Sequence, residues 1–141
     1  AQDQEYLELP DRVRYYPRGN KKIGEIIREI RNEKGISLRK LAEIVNVSNV
    51  NILYIEKGKI NTSLPILKGI ARALNYNIDK LLSFANMIDE DIKAIINKRP
   101  ELITNFLRVA KTLTNNDWKI LTERILNNDL DLNPKEDLSK C

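Results

Sequence analysis

Short polar and methyl-bearing side chains follow a break in the helical pattern near the middle of this chain. The break is Asn46, and the residues that follow it include Ser48, Asn49, Val50 and Asn51. A helix capped by Ser48 presents such side chains in its first turn. Asparagine can hydrogen-bond N6 and N7 of adenine, and valine can contact the methyl group of thymine. Because an α-helix fits the major groove of B-form DNA, this segment could recognise base edges.

Two short helices joined by a tight turn would position that segment. The first helix can be capped by Ser37 and carries one apolar face, namely Leu38, Leu41, Ala42 and Val45. In the second helix, Ile52 and Ile55 are predicted to face the core, and Gly58 follows its end. Asn46 suits the turn because asparagine tolerates a positive φ better than most residues. This is the layout of a helix-turn-helix.

Three more helices surround this pair and complete a five-helix segment. An isoleucine stripe at i, i+3, i+4 and i+7 predicts an opening helix that consists of residues from Lys21 to about Gly35. Thr62 or Ser63 can cap the fourth helix, and Asn77 can cap the fifth. Beyond Phe84, helix starts are predicted at Asp89, Pro100 and Thr114, and Thr114 with Asp117 fits a capping box.

The predicted fold class is therefore all-α, with four regions along the chain. An extended N-terminal arm is expected at 1–20, and a DNA-binding domain at 21–84 with its helix-turn-helix at 38–57. A C-terminal helical block follows at 85–127, and a polar tail at 128–141.

The composition excludes several kinds of chemistry. The chain has no histidine, and Cys141 is its single cysteine. A Cys/His zinc site, a Ser-His-Asp triad, a Cys-His dyad and an intrachain disulfide are therefore excluded. There is no glycine-rich phosphate loop, no pair of carboxylates stands out, and no apolar run is long enough to span a membrane. We expect no enzymatic activity, no cofactor, no metal and no membrane partner, and a cytoplasmic location.

The positive charge is concentrated in one region. Residues 21–84 hold 12 Lys or Arg and 6 Asp or Glu, whereas the formal net charge of the whole chain is +4. A basic domain between balanced segments suggests a polyanionic partner such as nucleic acid. A solvated surface that happens to be basic explains the charge equally well.

The order of these motifs resembles the XRE, or lambda-repressor-like, helix-turn-helix family. The match runs without a gap over residues 23–82, through the stretches Ile23–Arg31, Gly35–Ala42, Val47–Gly58, Leu64–Leu74 and Ile78–Leu82. Two positions depart from the family pattern: Asn46 replaces the usual glycine, and Leu38 replaces a frequent glutamine. The resemblance implies a five-helix lambda-repressor-like domain that regulates transcription by binding double-stranded DNA.

The resemblance also assigns roles to residues of the second helix and its surroundings. It implies that bases are contacted by Asn49, Val50 and Tyr54. The residues expected to contact or position phosphates are Ser37, Arg39, Lys40, Ser48, Asn51, Lys57, Lys59 and Asn61. Structural roles stay open for several of these, since Ser48 can serve as an N-cap, Tyr54 as a packing residue, and the lysines as solvated charges. Glu56 is expected to be structural, paired with a basic neighbour.

The C-terminal block carries a wide aliphatic face that needs a partner. It could pack on the DNA-binding domain, but we favour a homodimer because two modules contact two half-sites. The predicted dimer contacts are Leu102, Ile103, Phe106, Leu107, Ala110, Leu113, Trp118, Leu121 and Ile125. The arm at 1–20 could reach a minor groove or serve assembly, and we favour assembly because its net charge is negative.

Three classes of function follow from these patterns. The favoured class is a sequence-specific repressor that acts as a homodimer on a palindromic operator. The alternative is an antitoxin or an adaptor that uses the same fold to bind a regulatory protein. An enzyme is disfavoured because the sequence offers neither a cofactor loop nor a catalytic pair.

Overall fold

The computed structural model describes residues 21–130, and within that range it contains eight α-helices and no strand. The helices are α1 (Lys21–Glu33), α2 (Leu38–Val45), α3 (Asn49–Glu56), α4 (Leu64–Ala73), α5 (Ile78–Phe84), α6 (Glu90–Lys98), α7 (Pro100–Ala110) and α8 (Asn115–Leu126). The all-α prediction is confirmed for this part of the chain. The predictions for the arm at 1–20 and for residues 131–141 lie outside the described residues.

The helix starts from α2 to α5 each have a hydroxyl or amide cap. The side chains of Ser37 and Ser48 accept hydrogen bonds from the backbone N–H groups three residues later, at 3.0 and 3.1 Å. Ser63, rather than Thr62, caps α4. Asn77 caps α5 by accepting from the backbone of Lys80 at 2.8 Å. These bonds satisfy N–H groups that have no partner inside the helix.

The chain divides into two compact units between Ala94 and Ile95. In unit 1, α1 packs on α3 and α5, α2 packs on α3 and α4, and α4 packs on α5. Its core is aliphatic, as the scarcity of aromatic residues predicts. The buried apolar residues that the structure describes in this core are Ile23, Ile27, Ile30, Leu41, Ala42, Ile52, Ile55, Leu67, Ile70, Ala71, Leu74, Leu81, Leu82 and Ala85.

Unit 2 contains α7 and α8. The rings of Phe106 and Trp118 meet edge to face, with centroids 6.2 Å apart. The predicted capping box is present, because Thr114 Oγ1 accepts from the Asp117 backbone and Asp117 Oδ2 accepts from the Thr114 backbone. Ala110 is the one buried apolar residue among those that the structure describes in this unit.

Candidate nucleic-acid interface

The turn between α2 and α3 is closed by Asn46 in the left-handed conformation, with φ 64° and ψ 48°. This geometry lets the Val47 N–H donate to the Ala42 carbonyl at 3.0 Å. Ser48 then begins α3 with extended backbone dihedrals. The tight turn that the sequence predicted at Asn46 is confirmed, and it brings the first turn of α3 to the surface.

Helix α3 has one buried and one exposed face. Ile52 and Ile55 are 0% and 2% exposed, whereas Val50 and Tyr54 are 54% and 45% exposed. Asn49 is also exposed. The three residues predicted to contact bases therefore share the solvent-facing side of the helix. The apolar surface of an exposed valine and an exposed tyrosine is unfavourable in water. Binding in the groove of a partner would remove that surface from water.

The residues predicted to contact phosphates flank this face. Ser37 and Ser48 are exposed N-caps, so each marks a helix N-terminus whose free N–H groups can face an anion. Asn51 is half-buried and Asn61 is exposed. Four basic side chains are exposed and make no ion pair with any other described residue: Arg39, Lys40, Lys57 and Lys59.

A largely buried ion pair holds the C-terminal end of α3. Arg31 Nε donates to Glu56 Oε2 at 2.6 Å, and Arg31 Nη2 donates to Oε1 at 3.0 Å. Arg31 Nη1 also donates to the Ile36 carbonyl at 3.0 Å, in the turn before α2. The hydrogen bond and charge of Glu56 raise the pKa of Arg31 despite its partial burial. One guanidinium thus links α1, the α1–α2 turn and α3.

The expected pairing of Glu56 with a basic residue is present, but sequence reasoning did not identify its partner. The series Glu25, Glu29 and Glu33, four residues apart beside Arg28 and Arg31, predicts an exposed charge ladder on α1. The structure corrects this assignment, because the Arg31 side chain is 11% exposed and its partner lies 25 residues away. Spacing within one helix carries no signal of a contact that only the packing of α1 on α3 creates.

Gly24 is a second positioning residue that the sequence analysis missed. It is buried in α1, and a methyl group added there would overlap the backbone carbonyls of Ile55 and Glu56. Glycine therefore lets α1 approach the last turn of α3 more closely than any other residue could. A glycine inside an apolar helical stripe was the available signal, since glycine is disfavoured there without a packing reason.

The nine predicted dimer residues are not equally accessible. Leu102 and Ile125 are 70% and 58% exposed, and Phe106 and Leu107 are nearly half exposed. Ile103, Leu113, Trp118 and Leu121 are half-buried within the chain. Ala110 is 4% exposed and offers little surface to a partner. Sequence reasoning did not select Val109 and Ile120, which are 70% and 43% exposed.

The described residues contain no cluster of three His, Cys, Asp or Glu side chains that could hold a metal ion. No helix between residues 21 and 130 is both long enough and apolar enough to cross a membrane.

The geometry of α2, its turn and α3 defines the class of protein as helix-turn-helix, and comparison with known proteins agrees. A helix-turn-helix family model matches residues 27–81. An uncharacterized HTH-type transcriptional regulator of Archaeoglobus fulgidus is 41% identical over 58 residues, which is 41% of this chain and 83% of that protein. A second, from Methanothermobacter thermautotrophicus, is 45% identical over 49 residues, which is 35% of this chain and 71% of that protein.

Among solved structures, the restriction-modification controller protein C.AhdI of Aeromonas hydrophila is 31% identical to the chain. The match covers 43% of this chain and 92% of that one, with a TM-score of 0.42.

This chain belongs to the helix-turn-helix family of DNA-binding transcriptional regulators, which is not an enzyme class. The family predicted from the motifs is thereby confirmed.

Proposed function

We propose that the protein is a repressor that binds a palindromic operator in double-stranded DNA as a homodimer. The observation that supports this most is the exposed first turn of α3 on a helix held at its other end by Gly24 and the Arg31–Glu56 pair. A recognition helix must present its side chains to base edges at a fixed angle, because small rotations move those side chains out of reach.

In this proposal Asn49, Val50 and Tyr54 contact bases. Asn49 hydrogen-bonds an adenine edge, and Val50 packs against a thymine methyl group. The phosphate contacts come from the exposed basic residues together with the capped helix starts and the neighbouring asparagines: Ser37, Arg39, Lys40, Ser48, Asn51, Lys57, Lys59 and Asn61. Phosphate contacts set register and affinity, whereas base contacts set sequence preference.

Homodimerisation and repression complete the proposal. Two copies related by a two-fold axis contact two half-sites, so a palindromic operator mirrors the symmetry of the protein. A DNA-binding domain at 21–84 and a dimerisation block at 85–127 divide these tasks. Bound at a promoter, such a dimer blocks polymerase by occupying its site. The genome as target implies a cytoplasmic location, and the proposal includes no catalysis and no cofactor.

Selection of bound duplexes from a random library tests the proposal most directly. We expect a two-fold-symmetric consensus and an affinity that falls linearly in a plot of log K against log salt. Recovery of sequences without a shared consensus, together with an affinity insensitive to salt, would contradict it.

Two matched substitutions separate base contacts from phosphate contacts. Asn49→Ala should cost about 1–3 kcal/mol on the selected operator and relax the preference at one base pair per half-site. Lys59→Ala should weaken all duplexes about equally and reduce the salt slope by roughly one for each copy. Equal effects of Asn49→Ala on operator and random DNA would remove Asn49 from the base contacts.

An antitoxin or adaptor role is the second candidate, and the exposed apolar side chains of unit 2 favour it. Leu102, Val109 and Leu126 are each at least 70% exposed in the single chain. A regulatory protein that covers them would be a partner in place of, or in addition to, a second copy. Stable binding of such a protein by a chain that shows no operator preference would select this candidate.

A further inference from the structure

A shallow groove of about 310 Å³ lies along α8 in unit 2. It is lined by Leu113, Asp117, Ile120, Leu121 and Arg124. The last four of these residues have the spacing i, i+3, i+4 and i+7, so they form one stripe on α8. The stripe has an acid at its N-terminal end, a base at its C-terminal end, and two aliphatic residues between them.

The two charges of this stripe cannot neutralise each other within one chain. Seven residues of α-helix separate Asp117 from Arg124 by about 10 Å along the axis. Asp117 Oδ2 accepts a hydrogen bond from the Thr114 backbone at 3.0 Å, and Oδ1 accepts none from the described residues. The Arg124 guanidinium forms no ion pair or side-chain hydrogen bond with any residue between 21 and 130.

This arrangement is complementary to itself when one helix is reversed. If two α8 helices cross antiparallel at Ile120 and Leu121, Asp117 of each copy lies opposite Arg124 of the other. A parallel arrangement would instead place acid against acid and base against base, which is unfavourable. In a two-fold contact each residue pair occurs twice, so one pattern supplies two ion pairs.

We propose that the protein dimerises through antiparallel pairing of α8 with α8 of a second copy, centred on Ile120 and Leu121. This inference rests on the proposed homodimer and specifies its interface. The aliphatic centre removes Ile120, which is 43% exposed in the single chain, from water. The flanking Asp117–Arg124 pairs select the antiparallel direction, since charge complementarity determines register more than affinity.

The test uses two charge-reversed full-length variants, Asp117→Lys and Arg124→Glu, alone and mixed. Each variant alone should repel its own copies at both ends of the stripe. In the mixture, the introduced lysine faces the introduced glutamate, and the native Arg124 faces the native Asp117. We expect each variant alone to raise the dimer dissociation constant at least about tenfold, and the mixture to recover a wild-type-like heterodimer, by sedimentation velocity at low salt.

Matched controls keep the result interpretable. Lys119→Glu replaces a positive by a negative charge on α8, as Arg124→Glu does, but outside the groove. Its dimer dissociation constant should therefore stay within about threefold of the wild-type value. Because Asp117→Lys also removes the capping box, circular dichroism is measured for every variant. If that variant loses helicity, the comparison of Arg124→Glu with Lys119→Glu decides the test, and equal effects of the two overturn the proposal.

The remaining outcomes also decide it. A monomeric wild type, or a mixture of variants that keep their helicity yet stay monomeric, overturns the α8 interface. A wild type that is monomeric yet selects a DNA consensus overturns the α8 interface and the homodimer but leaves sequence-specific DNA binding intact. A dimer that follows the charge pattern but has no DNA preference supports the interface and contradicts the proposed function.

Discussion

The two units of the chain are built from similar helices but bury their apolar residues very differently. In the described part of unit 1, nine large aliphatic side chains are at most 2% exposed, among them Ile27, Leu41 and Leu67. In the described part of unit 2, only Ala110 is buried, and Leu102, Val109 and Leu126 are 70–77% exposed. Five helices can cover one another's apolar faces, whereas a helical pair buries too small a fraction of its surface to be stable alone.

Polar contacts show the same contrast. In unit 1, Arg31 bonds Glu56 across 25 residues and Lys68 bonds Asp89 across 21. In the described part of unit 2, the side-chain hydrogen bonds link residues no more than four positions apart, such as Thr104 with Pro100 and Thr122 with Trp118. Side-chain contacts between distant residues stabilise unit 1, whereas the side-chain hydrogen bonds described in unit 2 are all local.

The largest effect should come from truncating leucines in the two units. Leu67→Ala removes a side chain that is 0% exposed and should lower the free energy of unfolding by about 3 kcal/mol. Leu126→Ala removes one that is 77% exposed and should change it by less than about 0.5 kcal/mol. Urea denaturation at low protein concentration measures both, and equal losses would remove the contrast between the units.

Breaking the long-range ion pair should have a similar effect. Glu56→Ala leaves the Arg31 guanidinium without its partner and should cost about 3 kcal/mol of stability. Glu25→Ala, on the exposed face of α1, should cost less than about 0.5 kcal/mol. If thermal denaturation shows the two variants to be alike, the pair does not hold α3.

The close approach of α1 and α3 is tested by two glycines. Gly24→Ala forces a methyl group onto the carbonyls of Ile55 and Glu56 and should destabilise unit 1 by about 1–3 kcal/mol. Gly69→Ala is the control, because its methyl group would make an ordinary 3.5 Å contact with Val45. In the middle of α4 it should be neutral or stabilising by up to about 1 kcal/mol. If urea titrations show that Gly24→Ala and Gly69→Ala destabilise the protein equally, Gly24 is not required for the close approach of α1 and α3.

The smallest expected effect is a pH dependence from the Lys68–Asp89 pair. Hydrogen bonds from Lys68 and from the Glu90 backbone lower the pKa of Asp89 below its ordinary value of 3.8. The stabilisation is therefore fully present above pH 3.8 and is lost as the pH falls through the lowered pKa. Asp89→Asn should be less stable than wild type at about pH 7, and the difference should shrink near pH 3. A difference that does not change with pH would show that the charge of Asp89 contributes nothing.

Local signals in the sequence predicted most of the fold. Ser37, Ser48 and Asn77 were identified as caps because a hydroxyl or amide oxygen can reach the backbone N–H groups at a helix start. Asn46 was expected to adopt a positive φ, and the structure gives it 64°. The buried positions Ile52 and Ile55 followed from helical periodicity, and the exposure of Asn49, Val50 and Tyr54 followed from the same projection.

Contacts between helices that are distant in sequence were not predictable from one sequence. Helical spacing predicts an exposed charge at Arg31 and no role for Gly24, because the roles of both residues depend on how α1 lies against the end of α3. The complementary ends of the α8 stripe have no local signal either, since the capping box alone accounts for an acidic residue at Asp117.

The sequence by itself determined where the helices begin and end, which face of each is apolar, and which family the protein resembles. These properties depend on residues within one or two helical turns of each other, and interactions over so short a range can be predicted from the sequence. Only the tertiary structure decided which charges are buried as pairs, where a glycine is required, and which apolar side chains stay uncovered. Those properties depend on atoms brought together from distant parts of the chain, and a list of residues does not contain their distances.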